Sequence, residues 1–262
     1  MAQINISIIE KKRNIKADRK NNIMKIPIIE GIIERRVLVN FIADPEIVQK
    51  IIPSPFRVKV YKGKAIVGIC LIRLKHIRPK GFPKLFGISS ENGAHRLAVE
   101  WGDNNEIEQG VFIPRRDTSS YLNSMAGGRI FPGRHYHARF NVKEGHGNYH
   151  IAFKSSDGAT VSIDGSKSDQ LQSNSIFESL DQVSDFFEGG GIGYSPAGSK
   201  FDGLQLKTYN WKVEPLHITS LQSSFFEDKR KFPAGSVQFD NALLMTEIKH
   251  EWHSAGQKDA CM

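Results

Sequence analysis

Cysteine is scarce in this sequence. Cys70 and Cys261 are the only two in 262 residues, and no CxxC pair occurs. The scarcity excludes a disulfide scaffold, a dithiol redox motif and a zinc site built on paired cysteines. Cys70 lies within an apolar run and Cys261 is the penultimate residue. We therefore expect a reduced, cytoplasmic setting.

Long hydrophobic segments are absent as well. No apolar run approaches the roughly 18 residues that span a membrane. The short stretch from Ile4 to Ile9 is followed by charged residues and not by a small-residue cleavage site. We expect neither a membrane partner nor a secretory signal peptide. The GxSxG nucleophile elbow of α/β-hydrolases is also missing from the sequence.

The basic residues are unevenly placed. Residues 1–23 contain six lysine or arginine residues and two acidic ones, which accounts for half of the net charge of +8. Such an arm could contact nucleic acid or anionic lipid. One basic cluster without interleaved aromatic residues is weak evidence for that, so a nucleic-acid partner is not expected. We interpret residues 1–25 as a flexible arm, or as sequence ahead of a true start at Met24.

The rest of the chain reads mostly as short strands separated by turn signals. The run Ala65–Leu74 is too continuously apolar for a half-exposed strand, which indicates a central strand. Asp157-Gly158 is a hairpin turn signal between two alternating segments. The pattern predicts one mainly β (α+β) domain over residues 26–253, a closed β-barrel wide enough for a ligand, followed by a loose tail at 254–262.

Short helices are predicted beside the strands. Asp44, Pro45 and Glu46 form a helix start, with the aspartate as N-cap. Ser175 and Glu178 have the spacing of a capping box for a helix that ends near the glycines 189–193. A phosphate loop joins a strand to a helix and ends in a Lys-Ser or Lys-Thr pair. These glycines follow a helix and precede no such pair, so they indicate the end of a helix. The sequence predicts no cofactor.

Two histidines close together in the sequence are candidate functional residues. His135 and His137 are two apart on an alternating segment, so they share one face of a strand with Arg139, while Tyr136 takes the other face. With a third ligand from elsewhere, the two histidines could bind zinc or iron. The alternative is that they are polar barrel or surface residues. No further ligand cluster has diagnostic spacing, so a metal site is not the favoured interpretation.

Several motifs resemble the acetoacetate decarboxylase superfamily. The run Gly127-Gly128-Arg129 followed by Pro132-Gly133 is similar to the signature that precedes the paired lysines of those enzymes. The loop from Gly87 to Gly93 resembles one that carries a pocket glutamate, which places Glu91 at that position.

A closer resemblance is to the DUF2071, or YqjF-like, family. Four stretches carry it, in the same order along the chain: 36–79, 127–140, 186–216 and 239–252. The resemblance implies a decarboxylase-like fold from about Glu30 to His253.

The departures from the decarboxylase pattern bear on function. The two lysine positions hold Tyr136 and His137, and neither side chain can form a Schiff base. The resemblance therefore implies a small-molecule-binding barrel that is not a decarboxylase. Its expected pocket combines Glu91, Arg129, Tyr136 and His137 around a small organic ligand of unknown identity.

An alternative function stays open. It is a metal-dependent or general acid/base enzyme that acts on a small organic acid through Glu91, His135 and His137, with Glu91 and His137 as the catalytic candidates. The sequence also leaves a homo-oligomer open.

Overall fold

The computed structural model describes residues 27–103, 106–125 and 133–260. Within these ranges thirteen strands join one sheet. The strands are β1 (Ile29–Ala43), β2 (Arg57–Val58), β3 (Val60–Tyr61), β4 (Lys64–Pro79), β5 (Ile88–Asp103), β6 (Glu106–Thr118), β7 (His135–Gly145), β8 (Asn148–Ser155), β9 (Thr160–Lys167), β10 (Ile192–Ala197), β11 (Lys200–Thr208), β12 (Glu214–Ser223) and β13 (Val237–Asp259). The helices are α1 (Pro45–Gln49), α2 (Tyr121–Met125) and α3 (Leu180–Glu188), with a 3-10 turn at Lys84–Phe86.

The strand pairings close on themselves. Strands β13, β1, β4, β5 and β6 run side by side, and β6 continues through β10 and β11 back to β13. A second path leaves the far end of β6 through β7, β8, β9 and β12 and also returns to β13. The predicted mainly β architecture with short flanking helices is confirmed, and the ring of pairings protects most strand edges.

The five shared strands have both faces covered. On β1, Val37 and Val39 point into the larger core, where they meet residues of β8 and β9 such as Ile151. Leu38, between them, points the other way into a smaller core that α3 covers with Phe187. Successive side chains of a strand face opposite sides, so two buried faces require apolar residues at consecutive positions. This requirement explains the continuous apolar run of β4.

The local signals behave as their chemistry predicts. The Asp44 carboxylate accepts the backbone N–H of Glu46 at 2.8 Å and caps α1. Gly158 adopts a positive φ of 91° in the turn between β8 and β9, and Lys154 pairs with Thr160 across it. Gly189 follows the last residue of α3, as expected of a helix stop.

The start of α3 is a correction. The capping box expected at Ser175 and Glu178 is not the helix cap, because the Ser175 hydroxyl donates to the Asp240 carboxylate at 2.8 Å. The N-cap is Ser179, whose hydroxyl accepts the backbone N–H of Gln182. A later Ser-x-x-Gln therefore serves in place of the Ser-x-x-Glu.

The end of the chain also differs from expectation. Residues 254–259, expected to be a loose tail, continue β13. They form antiparallel pairs with β11, such as Asp202 with Gln257 and Lys200 with Asp259. These pairs satisfy the backbone groups of both strands. They help to close the shorter of the two rings of strands, which runs through β13, β1, β4, β5, β6, β10 and β11. The basic arm proposed for residues 1–25 lies outside the described residues.

Among the described residues, no helix is long and apolar enough to cross a membrane.

The buried histidines predict a loss of stability in mild acid. Burial lowers the pKa of His95 to about 3 and the pKa values of His135 and His250 to about 4, against about 6.5 in an unfolded chain. Below pH 6.5 the unfolded chain binds protons that the folded protein does not. Each histidine therefore lowers the free energy of unfolding by up to about 1.4 kcal/mol per pH unit between its two pKa values.

We expect urea denaturation to show a steep decrease in the free energy of unfolding from pH 7 to pH 5. The substitution His95→Gln should flatten that slope, whereas His217→Gln on an exposed site should not. Equal free energies of unfolding at pH 7 and pH 5 would contradict the assignment.

Candidate functional site

A cavity of about 160 Å³ lies inside the shorter ring. Each of the seven ring strands contributes at least one lining residue, and the end of α3 with the following glycines covers one side. Most of the wall is apolar. Its apolar residues include Ile72, Leu74, Ile113, Leu204, Leu206 and Trp252.

Three arginines line this apolar cavity. Arg36 comes from β1, Arg96 from β5 and Arg116 from β6. Within the part of the chain that the structure describes, none of the three forms a salt bridge with a carboxylate. Burial lowers the pKa of Arg96 to about 9 and that of Arg116 to about 10, so both stay charged at neutral pH. Uncompensated buried cations destabilise a protein unless an anion joins them.

Arg96 is fixed by neutral partners. Its Nη2 donates to Asn40 Oδ1, and Asn40 is in turn held by Asn241 at 2.7 Å. The guanidinium carbon lies 4.4 Å from the ring centroid of Phe187. The side chain is only 6% exposed, and its Nε has no hydrogen-bond partner among the described residues. A Cβ at Gly68 would lie 2.4 Å from the Val39 carbonyl oxygen and 3.2 Å from Arg96 Nη2, so glycine is required there by the neighbouring backbone and also leaves room for the guanidinium.

Arg36 and Arg116 are also held without a countercharge. Arg36 Nε donates to the sulfur of Cys70 at 3.3 Å, and its Nη1 has no partner in the described part of the chain. Arg116 Nε donates to the Ser195 hydroxyl at 3.1 Å. These contacts orient the guanidinium groups and leave their charge available to a ligand.

The acidic residues of the wall do not cancel this charge. Asp117 is fully buried, but its carboxylate accepts from both Arg115 and the Ser155 hydroxyl. Burial raises the pKa of Asp117, and these partners oppose the shift. Glu188 is exposed to solvent, so it marks the end of the cavity that reaches the surface. The cavity is therefore net positive.

His135, predicted as a metal candidate, lies in the cavity wall beside Arg116, with which it pairs across β6 and β7. Burial and the Arg116 charge lower the pKa of His135. The Nδ1 atom of His135 lies 3.2 Å from the carbonyl oxygen of Gly133. No group of three potential metal-binding side chains occurs among the described residues.

Glu91 lies on the opposite face of β5 from the cavity residue Asn92. Its carboxylate is ion-paired with Arg35 and Arg73. Arg35 is 2% exposed and also pairs with Glu144 at 2.5 Å. Glu91 is therefore a member of a charge network around buried Arg35, and its oxygens are already occupied.

The other pocket residues expected from the sequence are also apart from the cavity. The ring of Tyr136 lies between the guanidinium groups of Arg115 and Arg134, at 4.3 and 4.6 Å. His137 stacks on Tyr121 with ring centroids 3.8 Å apart. Neither side chain contacts Glu91 by a hydrogen bond, ion pair or ring contact among the described residues. Arg129 lies outside the described residues.

Sequence reasoning missed the three arginines. A partial signal was present, because Arg36 and Arg96 each directly precede a short apolar run, at 37–39 and 97–99. Arg116 lies in the polar run 115–118 and gave no such signal. A cation in such a segment is expensive to bury and therefore indicates a function or a partner. The signal does not say which arginines meet, since they are far apart in sequence.

Comparisons with known proteins agree on family and fold. The model of the DUF2071 family, described as an uncharacterized conserved protein, matches residues 33–244. No curated protein matches the chain. Solved structures of the acetoacetate decarboxylase type do match, at identities that establish the fold alone.

Three of these structures cover nearly the whole chain. An acetoacetate decarboxylase from Legionella pneumophila subsp. pneumophila str. Philadelphia 1 has a TM-score of 0.57 and 12% identity, covering 89% of this chain and 87% of that one. An acetoacetate decarboxylase-like enzyme from Sphingomonas wittichii RW1 has a TM-score of 0.56 and 10% identity, with coverages of 90% and 93%. The enduracididine biosynthesis enzyme MppR, complexed with pyruvate, has a TM-score of 0.54 and 9% identity, with coverages of 92% and 93%.

The charge network predicts a structural role for Glu91. The substitution Glu91→Gln leaves buried Arg35 with one carboxylate partner where it had two. We expect a loss of stability on the order of 2–3 kcal/mol, measured by chemical denaturation, with no loss of ligand affinity at the cavity.

The matched control is Glu100→Gln. Glu100 pairs with Arg57 at 3.5 Å on the surface, where an ion pair contributes less than about 1 kcal/mol. Equal stability losses in the two variants would argue against the buried network.

Proposed function

This chain belongs to the DUF2071 family of uncharacterized conserved proteins, and we propose that it binds a small organic anion in the arginine-lined cavity without Schiff-base decarboxylation. The observation that carries the proposal is the set of Arg36, Arg96 and Arg116 around one apolar space, with no carboxylate partner in the described ranges. Guanidinium groups donate paired, charge-assisted hydrogen bonds to carboxylates.

The size of the cavity limits the ligand. A cavity near 150 Å³ is large enough for benzene, so the 160 Å³ here fits a molecule of about six non-hydrogen atoms. The wall combines the arginines with apolar side chains, which suits a short carbon skeleton that carries one carboxylate. The pyruvate in the structure of one fold neighbour is a ligand of this class.

The negative charge of the ligand would compensate the positive charges of the cavity arginines, which lack a carboxylate partner in the described ranges. Burial disfavours the charged forms of Arg96 and Arg116, and a bound anion favours them again. Binding therefore stabilises the folded protein by an amount that grows with the logarithm of ligand concentration above the dissociation constant. His135 adds a polar side chain to the wall beside Arg116.

A Schiff base needs an amine in the site, and the described cavity wall holds no lysine. Lys59 lines a neighbouring chamber that shares Arg36 and Arg96, and burial lowers its pKa. That chamber is about 40 Å³, which is too small for a keto acid. The Lys59 ammonium group lies over the ring of Phe186, 4.1 Å from its centroid, and that contact opposes the effect of burial on its pKa.

The enzymatic alternative through Glu91, His135 and His137 finds less support. Glu91 is occupied by Arg35 and Arg73, and only His135 of the three lines the cavity. A general acid/base role for His135 on a bound organic acid is the part of that alternative that the geometry allows.

We expect small monocarboxylates such as acetate and pyruvate to raise the thermal midpoint of the protein progressively with the logarithm of their concentration, at constant ionic strength. Acetamide, the neutral analogue of acetate, should not. The substitution Arg116→Gln should weaken carboxylate binding about tenfold or more, since a hydrogen bond to a charged group contributes roughly 1.5–3 kcal/mol.

The matched control for binding is Arg139→Gln, an exposed arginine of β7. It should keep the affinity of the unaltered protein in isothermal titration calorimetry. If acetate and acetamide act alike, or if the two arginine variants weaken binding equally, the cavity is not an anion site.

We expect no acetoacetate decarboxylation and no imine. Incubation with acetoacetate and borohydride should release no carbon dioxide above the blank and leave every lysine unmodified by intact-mass and peptide analysis. Turnover together with a stoichiometric lysine adduct would refute this part of the proposal, and Lys59→Met would then show whether that residue carries it.

A further inference from the structure

Cys70 is a feature of the cavity that anion binding alone does not use. Its side chain lines the cavity and is 8% exposed. It lies on β4 between Leu38 of β1 and Ala94 of β5, in the middle of the shared strands. Its sulfur accepts a hydrogen bond from Arg36 Nε at 3.3 Å. A cavity cation and a nucleophilic atom are therefore in direct contact.

The surrounding arginines point to a ligand beside this sulfur. Arg96, which is more than nine-tenths buried, lines the same cavity. Its Nη2 donates to Asn40, and its Nε has no hydrogen-bond partner in the described part of the chain. Arg96 pairs with Gly68, two residues along β4 from Cys70 and on the same face of that strand, whereas Cys70 pairs with Ala94. Arg36 approaches from the other neighbouring strand. An anion drawn to these two guanidinium groups lies next to Cys70 Sγ.

We propose that Cys70 is a nucleophilic site that reacts covalently with small carboxylates carrying an electrophilic carbon next to the carboxylate. This rests on the proposed anion binding, and it adds the reacting atom and the ligand class. The arginines hold the carboxylate, and the short distance to the adjacent carbon raises the effective concentration at the sulfur. Binding of the charged group thus selects which electrophiles react.

Iodoacetate is the probe that fits this description. The sulfur forms a bond to the methylene carbon, the carbon–iodine bond breaks, iodide leaves with the electron pair, and the thiol proton passes to buffer. Iodoacetamide undergoes the same displacement without a negative charge, so it reports the reactivity of the sulfur alone. The two reagents differ mainly in the group that the arginines recognise.

The chain contains its own reference thiol, Cys261. The folded full-length protein is treated with each reagent at equal concentration and constant ionic strength, and the rate at each cysteine is measured by peptide mass spectrometry. We expect the ratio of the iodoacetate rate to the iodoacetamide rate to be at least about tenfold higher at Cys70 than at Cys261. In urea the two ratios should become equal.

Unreactive acetate provides a test that needs no variant. It should slow the carboxymethylation of Cys70 and leave that of Cys261 unchanged. Arg116→Gln should lower the Cys70 ratio toward that of Cys261, and Arg139→Gln should not.

Failure of this inference can be told from failure of anion binding. If acetate binds in the calorimeter but the Cys70 ratio equals that of Cys261, or Cys70 does not react with either reagent, the nucleophilic site is refuted and the anion site stands. If acetate does not bind and the ratios are equal, both proposals are refuted. Fast labelling of Cys70 by both reagents alike would show a reactive thiol that no anion site directs, which also overturns the inference.

Discussion

The structure depends on strands whose two faces are both buried. Strands β13, β1, β4, β5 and β6 lie between a larger core and a smaller one, so consecutive residues enter the two different cores in alternation. Polar side chains in these strands have no solvent to face and must find partners inside. Whether a charged residue is at an odd or an even position along the strand decides which core it enters. The side chains packed against that face then decide whether it finds a partner.

The two faces resolve this constraint in different ways. On the face of the larger core, Arg35 meets carboxylates from Glu91 and Glu144, and the charges compensate one another. On the other face, Arg36 and Arg96 meet an amide, a sulfur, aromatic rings and an open space. Arg35 and Arg36 are consecutive on β1. Arg35 has a structural role, and Arg36, in our proposal, binds a ligand. A protein keeps an uncompensated buried cation where function requires it.

The acetoacetate decarboxylase-like fold supplies the enclosed space but does not fix its chemistry. The cavity here is lined by arginines and one histidine, and its described wall lacks the amine on which an imine would form. The thiol of Cys70 occupies the cavity wall as well. The same fold can therefore hold a set of reactive groups other than an imine-forming lysine, and those groups determine the function.

The sequence by itself determined what depends on neighbouring residues. Asp44 capping a helix, the turn at Asp157-Gly158 and the central position of β4 follow from local chemistry and from apolar runs. The family followed from motif order, and His135 was named as a candidate because of its residue type.

Only the tertiary structure decided which residues share the cavity. Glu91 and Arg129 were grouped with Tyr136 by resemblance, yet Glu91 is on the face away from the cavity and is bound by two arginines. Strand alternation sorts residues into two faces, but the sequence does not say which face encloses space and which is filled. That depends on how β10, β11 and α3 pack against one side and β7, β8, β9 and β12 against the other, which are contacts between segments distant in sequence.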